Sequence, residues 1–243
     1  MSKLGITTPW SSPFIWSRFV QNLGQMVAAF DAPGWDCDVY FGRGIDPASR
    51  HIDGCIQARD GGCDALLFVG ADQVHPVDML NRLVARHEQT GGGAIAAAVP
   101  FRGYKAGQGM RPFQPIAWRV RDGATVDTGT YPPDVLELVD VDAPPELERI
   151  DAAPTAVLLF PVDALARLAH PWFWELRDTR TMQRVTDTDS PFSWRLAREA
   201  GVALWLDKSI KVQHLHTVAI DDTYQYRFPE LAGGSTECVS WQW

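Results

Sequence analysis

Three short segments hold side chains that can do chemistry, each where an apolar run gives way to polar residues. The first is Ala65-Leu66-Leu67-Phe68-Val69-Gly70-Ala71-Asp72-Gln73-Val74-His75-Pro76, a continuous apolar stretch that stops at a lone acid. Such a run reads as an interior parallel strand. Ligands of open parallel sheets bind beyond the carboxyl ends of the strands, which is where Asp72 stands. A carboxylate there can hold a hard divalent cation against phosphate oxygens, or it can cap the helix that follows.

The second segment, Thr186 to Gly201, places Asp187 and Asp189 at the start of an amphipathic helix. The helix dipole keeps a carboxylate ionised there, as a general base must be. Capping the helix is the alternative use. The third segment is Val212-Gln213-His214-Leu215-His216. Two histidines two residues apart on a strand face one side, and either completes a metal site if that side meets Asp72. Otherwise they are surface or hydrogen-bonded core histidines.

The pattern along the chain supplies a scaffold. Strands are expected at 3–8, 38–41, 65–69 and 94–99, with helices at 14–29, 47–59 and 76–89 between them. This alternation predicts an α/β fold whose mainly parallel central sheet is flanked by helices and joined by right-handed crossovers. Across 101–150 the helical period disappears while Gly, Pro and charge rise, as in a β-rich insertion with short strands near 116–120 and 135–141. A strand at 156–160 and helices at 162–169 and 189–200 follow. Strands at 202–206 and 210–212 are expected around a turn at Asp207-Lys208-Ser209. The reading is a single domain over 1–220 and a C-terminal tail over 221–243.

Of the 243 residues, 46% are apolar and 21% charged, enough for a large core without disulfides or a structural metal. A net charge of −8 weighs against a grip on many nucleic-acid phosphates. No apolar run approaches the roughly 20 residues that span a bilayer, and the N-terminus has no signal-peptide shape. Cys37, Cys55, Cys63 and Cys238 show no C-x-x-C pairing, which suits reduced thiols and a cytoplasmic location.

Taken together, Leu67-Phe68-Val69-Gly70-Ala71-Asp72, Asp189-Ser190-Pro191-Phe192 with Arg195, and Leu204-Trp205-Leu206-Asp207-Lys208-Ser209-Ile210-Lys211-Val212-Gln213-His214 resemble the GT-A glycosyltransferases of the family 2 type. The resemblance implies a GT-A-like (nucleotide-diphospho-sugar transferase) fold. It implies that Asp72 holds Mn2+ or Mg2+ on the donor diphosphate, with His214 or His216 joining it. It implies that Asp189, with Asp187 nearby, supplies the base. Thr8 and Pro9, at the end of the first strand, fall where the family contacts the nucleotide. Two departures stand out: Gly70 replaces the first acid of Asp-x-Asp, and Thr188 replaces the Glu of a Glu-Asp pair.

Arg43 and Arg50 are candidates for holding the diphosphate, with exposed surface arginines as the plain alternative. Trp172 and Trp174 are candidates for a sugar-stacking wall, or for core packing. Tyr104, in a loop leaving a strand end, is a candidate acceptor contact. The expectation is therefore a metal-dependent, inverting glycosyltransferase using a nucleotide sugar, a UDP-sugar in the leading version. Its acceptor hydroxyl belongs to a glycan, a small molecule, a protein or a hydroxymethylated DNA base. A non-catalytic carbohydrate- or partner-binding relative and a sugar-phosphate nucleotidyltransferase are the competing expectations. The latter predicts a Gly-rich, basic phosphate loop, and Thr7-Thr8-Pro9-Trp10-Ser11-Ser12 contains neither Gly nor Lys.

Overall fold

Five successive apolar residues, Ala65 to Val69, form a strand with no exposed position, so both of its faces must be covered. In the computed structural model, which describes residues 1–9, 16–100, 116–126, 131–174 and 189–215, helices cover them. In chain order the elements are β1 (Ser2–Pro9), α1 (Ser17–Ala28), β2 (Trp35–Gly42), α2 (Pro47–Asp60), β3 (Ala65–Val69), β4 (Gln73–Val74), α3 (Met79–Gln89) and β5 (Ala94–Ala98). There follow β6 (Trp118–Val120), β7 (Leu136–Leu138), β8 (Leu147–Arg149), β9 (Val157–Pro161), α4 (Asp189–Arg198), β10 (Leu204–Lys211) and β11 (Gln213–His214).

Seven strands form the central sheet in the order β2-β1-β3-β9-β5-β10-β8. Alternate residues divide between two cores. Leu66, Phe68, Leu158, Phe160, Ala94 and Ala96 join Phe192 and Leu196 of α4 and Cys55 and Ala58 of α2. Leu67, Val69, Leu159, Ile95 and Ala97 join Phe19, Leu23 and Met26 of α1 and Leu80 and Leu83 of α3. The period-2 alternation of a strand thus makes a three-layer α/β/α domain.

Two expectations change. The sheet is mainly parallel, but β9 runs antiparallel to both β3 and β5 and separates them. The edge strand β8 is also antiparallel. Strand direction follows from chain routing, which an apolar run does not encode.

The turn expected at Asp207-Lys208-Ser209 lies inside β10, where the register on β5 jumps between Asp207 and Lys211. A fully buried acid stabilises this irregularity. Asp207 receives the Arg86 Nε–H at 2.8 Å and the Ser209 backbone N–H at 2.9 Å. Burial would raise the Asp207 carboxyl, but the bonds from Ser209 and Arg86 outweigh it and hold the group below its ordinary value.

Among the described residues no helix is long and apolar enough to cross a membrane. Cys37, Cys55 and Cys63 are free thiols. Residues 101–115, Asp187, His216 and the 221–243 tail lie outside the described residues.

Asp207→Ala leaves the quarter-exposed Arg86 with Glu146 and Gln89 and removes the bulge's anchor. The expected loss is about 3 kcal/mol in urea unfolding at pH 7. A folded carboxyl held low stabilises the protein above the unfolded value of about 4 and loses that contribution as pH falls through the folded value. The wild type and the variant therefore converge in acid.

Candidate functional site

The site is assembled where β3 ends. Gly70 N–H donates to Ala156 O at 2.8 Å, extending the β3–β9 ladder by one bond. Beyond it, β4 pairs antiparallel with β11 so that His214 faces Gln73, and Leu215 N–H donates to Asp72 O at 2.7 Å. This small ribbon fixes Asp72 against His214, with Nε2 3.5 Å from Asp72 Oδ1. His214 Nδ1 lies 2.8 Å from Pro100 O. A carbonyl only accepts, so Nδ1 donates to it, and Nε2 is the nitrogen that faces Asp72.

That is the arrangement a metal-binding histidine adopts, with the far nitrogen tied to a backbone carbonyl. Adjacent ligands on an octahedral Mg2+ or a similar hard cation lie about 3 Å apart, so the Asp72–His214 pair fits one ion. Among the described residues no third His, Cys, Asp or Glu joins them. The remaining positions would fall to water and to phosphate oxygens of a ligand, as is usual for Mg2+.

Gln73 fills the space that an acid at position 70 would use. A Cβ on Gly70 would lie 2.6 Å from Gln73 Nε2 and 3.2 Å from Asp72 Oδ1. The Gln73 side chain is held from behind by His75, whose Nε2 lies 3.0 Å from Gln73 Oε1. His75 is bound in turn through its backbone: its N–H donates to Asn22 Oδ1 at 2.8 Å, and its C=O accepts from Asn22 Nδ2 at 2.9 Å. These bonds tie α1 to the loop that follows β3. Burial pushes the His75 ring down to about 3, aided by nearby His214 and opposed by Asp72, so it is neutral.

A second cluster lies one residue beyond the Gly70–Ala156 bond. Thr155 Oγ1 is 2.9 Å from His51 Nε2, and Asp189 Oδ1, at the start of α4, is 3.9 Å from the same nitrogen. His51 sits in the first turns of α2, whose start is set by a capping box. The Asp46 carboxylate accepts from Ser49 N–H, Ser49 Oγ accepts from Asp46 N–H, and Pro47 opens the helix. Gly42 permits the close approach, since a Cβ there would lie 2.2 Å from Arg50 O. His51 and Thr155 were not singled out from the sequence. Within α2 the histidine looks like one polar residue of an amphipathic helix.

The other expected residues fall as follows. Thr8 is fully buried at the end of β1, and its Oγ1 has no hydrogen-bond partner among the described residues. Pro9 ends the same strand. Arg43 is exposed, with its backbone N–H on Asp53. Arg50 braces its own loop, donating from Nε to Gly44 O and from Nη2 to Ile45 O. Trp172 is 6% exposed, packed in the core with Nε1–H donating to Leu165 O, which leaves no ring face for a sugar. Trp174 has one face under the Arg195 guanidinium, 4.4 Å from the ring centre. Asp187, Tyr104 and His216 are outside the described residues.

Two solved structures share this architecture. GalNAc-T7, crystallised with UDP, GalNAc and Mn2+, is similar with a TM-score of 0.54 and 10% identity, over 89% of this chain and 43% of that one. A197 from STIV is similar with a TM-score of 0.52 and 12% identity, over 89% of this chain and 87% of that one. The fold is GT-A-like. The likeness of this GT-A-like chain to S. aureus TarS in complex with UDP-GlcNAc is looser, with a TM-score of 0.44 and 10% identity over 91% of this chain and 60% of that one. No family model and no curated protein matches the sequence.

Because His75 is held at about 3 in the fold against 6.5 when unfolded, the unfolded chain binds one more proton between those values. Stability therefore falls as pH drops from 6.5 toward 3, with His75 contributing up to about 1.4 kcal/mol per pH unit. His75→Gln is expected to flatten that portion of a stability–pH curve measured by urea unfolding.

Proposed function

We propose that the chain is a metal-dependent glycosyltransferase that moves a sugar from a nucleotide diphosphate donor, a UDP-sugar, to an acceptor hydroxyl with inversion. The observation that carries this reading is the Asp72–His214 pair, presented at the carboxyl end of β3 in a GT-A-like sheet and linked to the Asp189 cluster through the Gly70–Ala156 hydrogen bond. Asp72 is two residues from Gly70, and Thr155 is next to Ala156, the two ends of one hydrogen bond.

Asp72 and His214 would hold Mn2+ or Mg2+, which supplies neutralisation of charge on the departing diphosphate. The protein's own residues do the rest. Thr8 and Pro9, at the end of β1, border the nucleotide. Asp189 takes the proton of the acceptor hydroxyl, whose oxygen bonds to the anomeric carbon. The bond from that carbon to the diphosphate breaks, and its electron pair leaves with the diphosphate. A base placed opposite the leaving group gives inversion.

Nucleophilic catalysis by Thr155 does not fit. In a hydroxyl–histidine–acid triad the hydroxyl and the acid occupy different ring nitrogens, whereas here both face Nε2. Thr155 is also only 1% exposed. The acceptor is proposed to carry a hydroxyl on a glycan, a small molecule, a protein or a hydroxymethylated base.

The test is release of UDP from a panel of UDP-sugars with Mn2+ or with EDTA. One donor is expected to yield UDP in Mn2+ alone, and Asp72→Asn to abolish the release. Asp189→Asn should lower turnover by about 10²–10⁴-fold with unchanged circular dichroism. No binding and no release for any donor would overturn the catalytic reading in favour of a sugar-binding relative.

A further inference from the structure

A chain of three buried polar side chains, Asn22 of α1, His75 and Gln73, ends beside the Asp72–His214 pair. Gln73 is paired with His214 across the β4–β11 ribbon, and directly opposite residues of an antiparallel pair put their side chains on one face. The Gln73 amide therefore lies on the side of the His214 ring. One end of it meets His75 Nε2 at 3.0 Å. The other end lies over Gly70, where an added Cβ would come within 2.6 Å of Gln73 Nε2 and 3.2 Å of Asp72 Oδ1. Among the described residues this second end has no hydrogen-bond partner.

Asn22 decides how the chain is oriented. Its Nδ2 donates to His75 O and its Oδ1 accepts from His75 N–H, so its oxygen is the end turned to the imidazole. His75 Nδ1 lies 3.2 Å from that oxygen. An amide oxygen only accepts, so the contact is favourable when Nδ1 carries the proton. The neutral ring then has a lone pair on Nε2, which needs a donor. Half a turn about the last torsion of Gln73 supplies one: the amide N–H faces His75, and the carbonyl oxygen faces Gly70 and Asp72. Terminal amide torsions are broad and roughly twofold, so both orientations are open to the side chain.

We propose that Gln73 is a third protein ligand of the cation held by Asp72 and His214, its amide oxygen turned to the ion by His75 and Asn22, a role that rests on the cation reading of that pair. Hard cations take amide oxygens alongside carboxylates. The oxygen occupies one of the positions otherwise left to water. His75 fixes the amide from behind, as the partner of a metal ligand does. Gly70 leaves the room that the amide needs, since any side chain there would displace it.

The probe is Mn2+ alone, titrated into the protein and followed by the electron paramagnetic resonance of the free ion, with melting in EDTA as the check on folding. Gln73→Leu removes the oxygen at similar volume and is expected to weaken Mn2+ binding about 10–100-fold. Gln73→Glu returns an oxygen at the same reach and is expected to bind at least as tightly as the wild type. The wild type gives a second readout. In Mg2+, the chemical shifts of the histidine ring nitrogens are expected to show His75, identified by its loss in His75→Gln, protonated on Nδ1.

If Asp72→Asn loses Mn2+ binding while Gln73→Leu keeps the wild-type affinity, the proposal for Gln73 is overturned and the cation site stands. It is likewise overturned if Gln73→Glu folds without recovering the affinity, or if His75 carries its proton on Nε2 in Mg2+. Wild-type affinity in Asp72→Asn, or no binding by the wild type, removes the cation site itself and Gln73 with it.

Discussion

The ladder between β3 and β9 is the constraint on which the site depends. It runs from Ala65 opposite Pro161 to Val69 opposite Val157, and the Gly70–Ala156 bond extends it. Because β9 runs against its neighbours, it begins where β3 and β5 end. The segment before β9 therefore lies on the same edge as the segments after β3 and β5. Thr155 comes from the first, Asp72 from the second and Pro100 from the third. His214 then bridges two of these exits, pairing with Asp72 and donating to Pro100 O. A wholly parallel arrangement would have carried Thr155 to the opposite edge.

Two histidines at this edge are wired alike. His214 and His51 each donate Nδ1–H to a prolyl carbonyl, from Pro100 and Pro47, and each turns Nε2 toward an aspartate. Their surroundings separate the roles. His214 faces its acid directly at 3.5 Å on a two-stranded ribbon, a geometry that one cation can bridge. His51 faces its acid at 3.9 Å with a threonine hydroxyl on the same nitrogen and its ring packed on Phe173 and Phe68. His75, between Asn22 and Gln73, has no such opening and serves as a strut.

What the sequence conveyed and what it withheld divide along contact range. The run from Ala65 to Val69 and the acid after it, the helix from Asp189 and the alternation of the first hundred residues were legible because strand and helix periods are local. The direction of β9 was not, since Ala156–Phe160 is equally apolar in either sense. The His51–Thr155 contact spans 104 residues and the His214–Pro100 contact 114, and neither leaves a pattern in its own neighbourhood. The turn read at Asp207-Lys208-Ser209 has turn-forming residues, but Arg86 from α3 meets the acid and the strand continues past it. Trp172 illustrates the same limit, because a tryptophan beside a proline carries no mark of which face the core will claim.

A buried cation helps to moor the insertion after β5 to the sheet beneath it. Lys208 of β10 is 4% exposed, and its ammonium group donates to Asp140 O at 2.7 Å and Ala143 O at 2.8 Å and pairs with Glu148. With the β8–β10 pairing and the Trp118–Ala152 bridge, that cation holds the base of a segment whose β6–β7 ribbon is a separate two-stranded sheet. Because Lys208 follows Asp207 in β10, the insertion and the irregular register of β10 on β5 are fastened at neighbouring residues.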